Sequence, residues 1–220
     1  MLNQTPLSSK ALLPLPSYFW TKFARFVTNI TAPPFLAIPS FVVLGIQDQE
    51  RHHTLSRLGA GLAIAVSFGA ALPVMVVIIL HISHKISDVH ITTREQRTLP
   101  FLLTIGSFII GTLLLWLVSG PCLLTAMLIC YAMNTTVVML INFKWKISVH
   151  ATGIGGPLAA FTVVAGWMIA APFLGLVALV AWARVYLRAH TPGQVVAGSL
   201  FGYFFTLFQL IFIFQLAGWL

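Results

Sequence analysis

The segment Leu58–Ile82, LGAGLAIAVSFGAALPVMVVIILHI, contains no Asp, Glu, Lys or Arg. It exceeds the roughly 20 apolar residues that carry an α-helix across a hydrocarbon core. Its apolar positions are continuous rather than alternating, which fits a membrane helix and not a barrel strand. Comparable runs recur at 100–118, 122–141, 151–170, 173–185 and 195–220, with a shorter run at 31–46 broken by Pro33, Pro34 and Pro39. The chain of 220 residues is 59% hydrophobic and 7% charged, against about 25% charged in an average soluble domain. These features predict an all-α fold, a polytopic transmembrane helical bundle of about six to seven spans.

Two regions follow from the pattern. Residues 1–30 form an N-terminal segment, polar to mixed at first, with Pro14 and Pro16 interrupting any signal-peptide core. Within it, Phe19, Phe23 and Phe26 recur at helical spacing with Lys22 and Arg25 between them, which predicts a helix lying in the membrane interface. Residues 31–220 form the membrane domain. The run at 31–46 reads as a kinked span or a re-entrant segment, and Gln47–Arg57 as a polar loop. Turns are expected at Ser119-Gly120-Pro121 and near Pro172.

The charge is +8 and the pI about 10.1. No basic run with interleaved aromatics accompanies it, so it reads as the positive loops of a membrane protein, with no nucleic-acid partner. Cys122 and Cys130 share one apolar run and read as small buried side chains. His52 and His53 form a solvated pair, and His81 and His84 lack a third close ligand, so no metal and no cofactor are expected.

Three polar islands interrupt the runs. The first, Asp88–Pro100, carries His90, Arg94 and Arg97. The second is Lys144-Trp145-Lys146-Ile147-Ser148-Val149-His150, and the third, Ala183–Gln194, carries Arg184, Arg188 and His190. Two runs separate each island from the next. A helical hairpin returns the chain to the face it left, so all three islands belong to one face of the membrane. Every Lys and Arg except Arg51 and Arg57 falls on that face, which the positive-inside rule assigns to the cytoplasm when the first run crosses.

Such a set fits a phosphate site. Thr191 suits a helix N-cap and Pro192 the first helical position. A helix start attracts anions through free N–H groups and its dipole. Arg184 adds a planar fork matched to phosphate. His190 beside a bound phosphate can attack phosphorus or move a proton. Ser148 and His150 open another run with Gly153, Gly155 and Gly156 close behind. Gln194 completes a capping-box pattern with Thr191.

Arg184, His190 and Gln194, spaced as R-x5-H-x3-Q, resemble the third motif of the type 2 phosphatidic acid phosphatase (PAP2) superfamily, S-R-x5-H-x3-D. Ser148-Val149-His150 resembles its second motif, P-S-G-H. His90-x6-Arg97 resembles its first, K-x6-R-P, with His for Lys and Thr98 for Pro. The likeness covers about residues 58–220, and the segments 146–156 and 190–194 resemble a divergent bacterial branch in which Gln at the last position is usual. The resemblance implies a metal-independent lipid-phosphate phosphatase in a bacterial inner membrane, acting on a phosphomonoester or diphosphate of a lipid or polyprenyl chain. It implies His190 as nucleophile, His150 as the acid for the leaving alkoxide and Gln194 as the partner of His190. Arg184, Ser148 and Arg97 would bind phosphate, with Arg94, His90 and Lys146 beside them. The departures, Gln194 for Asp, Val149 for Gly and His90 for Lys, point to the alternative: a non-catalytic relative serving as a structural or lipid-binding subunit of a membrane complex, with other membrane proteins as partners.

Overall fold

The computed structural model describes residues 17–52 and 55–218, with the side chains of 48–57 outside that description. Residues 1–16, read as polar to mixed, and His53 of the expected solvated pair fall outside it. All regular structure among the described residues is helical. The helices are α1 Tyr18–Ile30, α2 Pro33–His52, α3 Leu55–Val66, α4 Leu72–Ile82, α5 Thr98–Ser119, α6 Leu123–Asn142, α7 Val149–Ala165, α8 Trp167–Ala170, α9 Leu174–Tyr186 and α10 Pro192–Ala217. Five stretches are long and apolar enough to cross a membrane: Leu58–Ile82, Arg94–Ser119, Leu123–Asn142, Trp167–Tyr186 and Pro192–Ala217. A sixth arises if α1 and α2, bent by 49°, form one broken span. The protein is therefore an integral-membrane helical bundle.

Two local expectations are corrected. The described part of the stretch 47–57, read as a polar loop, is helical, because α2 extends to His52 and α3 begins at Leu55. The turn expected near Pro172 lies instead at Gly166, whose φ of +86° suits glycine. Pro172 sits early in a 3-10 turn leading into α9, where its missing N–H costs little. The run at 31–46, expected as a kinked span or a re-entrant segment, is helical from Pro33 onward through Pro39, and the 49° bend between α1 and α2 makes the pair a broken span or a re-entrant loop.

The Leu58–Ile82 span holds a π turn at Ser67–Ala71. Pro73 has no N–H for the Phe68 carbonyl, and Ser107 Oγ donates to that carbonyl instead at 2.7 Å. Such substitution is how a broken helix stays satisfied within lipid. The core gathers on α6, with Met127 and Leu128 fully buried against Phe41, Leu44 and Leu115.

α7 and α10 form the closest helix pair. A Cβ on Gly155 would lie 2.7 Å from the Ser199 carbonyl oxygen, and one on Gly198 2.7 Å from the Ser148 carbonyl oxygen. Gly198 and Gly202 are a small-xxx-small pair that lets the backbones touch. This contact brings the starts of α7 and α10, and so His150 and His190, side by side.

Candidate functional site

The C-terminal ends of α4, α6 and α9 and the N-terminal ends of α5, α7 and α10 meet at one end of the bundle, where the three polar islands join. Hydrogen bonds tie the islands together. Arg97 donates from Nε to the Ile91 carbonyl (2.8 Å) and from Nη1 to the Ile147 carbonyl (3.3 Å). Lys146 Nζ donates to the Ala189 carbonyl at 3.1 Å. The Ser148 N–H donates to the Gln194 carbonyl at 3.3 Å. Asn142 Nδ2 donates to the Arg94 carbonyl at 3.1 Å. Ile91 has φ +47°, costly for a β-branched residue, and its carbonyl is the one that receives Arg97 Nε.

A cavity of about 460 Å³ opens beneath this junction, within the size range of small-molecule sites. His90, Arg97, His150, Arg184 and His190 all line it, and among the described residues no carboxylate does. Arg97, Arg184, His150 and His190 are each less than a tenth exposed. The His90 and His150 ring centroids are 6.0 Å apart. Among the described residues, Arg184 Nε and His150 Nε2 are buried without a hydrogen-bond partner. Both side chains line the cavity, and buried polar atoms left without a partner are costly.

Gln194 fixes the chemistry of His190. Its side-chain oxygen accepts from the Thr191 N–H at 3.2 Å, and the same oxygen lies 3.1 Å from His190 Nδ1. An amide oxygen only accepts, so Nδ1 carries the ring hydrogen and Nε2 keeps its lone pair. Burial pushes the His190 pKa down to about 4, aided by the charges of Arg184 and Arg97 and opposed by the Gln194 bond. Near neutral pH the ring is uncharged. Burial and then Arg184 also lower the His90 pKa, against Asp88.

The remaining expected site residues lie off the cavity wall. Ser148 is fully buried as the N-cap of α7, its Oγ accepting from the Ala151 N–H at 3.4 Å. Lys146 is engaged with Ala189. Arg94 turns away from Arg97 to Glu95 (3.1 Å) and the Phe143 carbonyl (3.3 Å). Gln194 sits behind His190. Asn29 and Asn134 also line the cavity, though neither belongs to an island. Asn134 donates to Thr206 Oγ1 at 2.7 Å and accepts from Gln209 Nε2 at 2.9 Å. An amide inside an apolar run was its only signal. Among the described residues no three His, Cys, Asp or Glu side chains converge as metal ligands.

Comparison with protein-family models, with curated proteins and with solved structures finds no match to this chain.

Proposed function

We propose that this membrane protein is a lipid-phosphate phosphatase of the PAP2 type, working through a phosphohistidine on His190. The observation that carries the reading is the convergence of His90, Arg97, His150, Arg184 and His190 on one cavity that, among the described residues, no carboxylate lines. Such a chamber favours a phosphate dianion and a reaction that moves its charge.

In this mechanism the phosphoryl group sits between Arg97 and Arg184. His190 Nε2 attacks phosphorus, and the bond from phosphorus to the lipid oxygen breaks. The leaving oxygen takes a proton from His150, whose protonated form the bound dianion favours. Water then attacks the phosphohistidine, His150 takes back a proton, and inorganic phosphate leaves. Gln194 holds the His190 tautomer throughout.

The competing reading, binding without turnover, draws on Gln194. An amide orients the ring but brings no charge to stabilise the imidazolium that develops on it, and loss of the comparable carboxylate costs about 10⁴ in a serine protease, chiefly through the tautomer. Phosphate release by the detergent-purified protein separates the two. The panel is phosphatidic acid, phosphatidylglycerol phosphate and polyprenyl mono- and diphosphate. The expected result is release from at least one lipid, reduced at least about 10³-fold in His190→Ala. Turnover retained in a folded His190→Ala would sink the mechanism. No release from any lipid by the folded wild type would favour the binding role.

A further inference from the structure

The cavity has a second, apolar limb that a phosphate cannot use. From the cationic end it follows α5 through Phe101 and Thr104 to Phe108. The ten residue steps of helix from Thr98 to Phe108 span about 15 Å, roughly half of a hydrocarbon core of about 30 Å. Its inner end is aromatic. Phe108 and Tyr131 have ring centroids 5.6 Å apart, and fully buried Phe41 closes on Tyr131 at 5.7 Å. Gly69, in the π turn, forms part of this floor, and a Cβ there would meet the Phe41 ring.

The limb also has an open side. α2 and α4 both line it, yet neither packs extensively on the other; α2 rests on α3, α6, α7 and the π turn, and α4 on α5 and the π turn. Three lining residues at this gap, Phe35, Ile78 and Val89, are 52%, 45% and 49% exposed. All three are apolar; Ile78 lies within the membrane-spanning stretch Leu58–Ile82 and Phe35 near the start of α2, while Val89, in the loop after α4, marks the mouth of the gap. The gap therefore opens along an apolar spanning helix.

We propose that this limb holds a single hydrocarbon chain of the phosphate-bearing ligand, that the chain enters sideways between α2 and α4, and that Phe108 and Tyr131 stop it. This assignment rests on the phosphate reading of the cationic end. The charge and the apolar volume meet in one cavity, so the ligand is an anionic amphiphile. Chain length beyond the floor must remain in the gap, and a branched or doubled chain must leave one limb in the membrane. A bulky side chain at Val77, half-buried on the limb wall, would fill the space the chain needs.

The probe is a single-chain alkyl phosphate carrying a diazirine near its chain end, incorporated in phosphatidylcholine vesicles with the full-length protein. Photolysis should label residues of α4 and α5 that line the limb, and unlabelled alkyl phosphate should compete. Labelling confined to outward positions such as Leu117, 79% exposed, would overturn the assignment. Val77→Trp should lower kcat/KM at least tenfold more for a long-chain phosphate than for a short-chain one. An unchanged ratio in a folded variant would also overturn it. The two readings fail separately. Limb labelling without any phosphate release by the wild type leaves the chain site standing and removes the phosphatase. Release without limb labelling does the reverse.

Discussion

At the residue scale, Gln194 does two jobs with one oxygen. It caps α10 through the Thr191 N–H and holds His190 Nδ1–H. Gln194→Ala removes both bonds and should lower kcat by about 10²–10⁴, with a loss of stability of about 1 kcal/mol from the cap. Gln194→Asp keeps an acceptor and adds a charge, so it should raise the His190 pKa from about 4, seen in an imidazole NMR titration. The same shift makes stability depend on pH. The folded pKa of about 4 lies below the ordinary 6.5. Between these values the unfolded chain binds a proton that the folded chain refuses, so stability present above pH 6.5 is lost as the pH falls toward 4. In detergent, Tm should drop through that window, and His190→Gln, which stays neutral, should flatten the drop.

At the scale of elements, the hydropathy of the chain was enough to read the spans but not the joints. Leu58–Ile82 is legible because nothing but a membrane helix suits so long an uncharged run. The turn at Gly166 was not, because a proline at 172 looks like a breaker until its place early in a helical turn is known. The π turn at Ser67–Ala71 leaves no mark in hydropathy at all. Of the site, His90, Arg97, His150, Arg184 and His190 were legible as polar residues between apolar runs that return to one face. The inward course of Arg97 and the outward course of Arg94 were not, since three residues of spacing do not say which carbonyl a guanidinium will find. The pairing of α7 with α10 gives the element-scale prediction. Gly202 lies against the Thr152 backbone, where no side chain can yield, so Gly202→Val should push the helices apart. The expected cost is about 1–3 kcal/mol, read as a lowered Tm. Activity should fall further than the Tm loss explains, because His150 and His190 separate, whereas Val196→Ala on the exposed face of α10 should change neither.

At the scale of the molecule, parity does the assembling: each helical hairpin returns an island to the same end, and hydrogen bonds to backbone carbonyls fasten one island to the next. Those carbonyls have a thermodynamic consequence. Arg97 is held by Ile91 and Ile147 rather than by a carboxylate, and among the described residues Arg184 has no ion pair either. The fold therefore concentrates like charge that Asp88 only partly offsets, and the unliganded protein works against its own field. An anion that binds only the folded form repays this as stability, by RT ln(1 + [L]/Kd), about 2.7 kcal/mol at a hundred times Kd. Inorganic phosphate, titrated at constant ionic strength, should raise Tm steadily with the logarithm of its concentration, and Arg184→Gln should abolish the rise while leaving the unliganded protein as stable or more so. The ligand is in this sense the last strut of the bundle, and its supply would set how much folded protein the membrane retains.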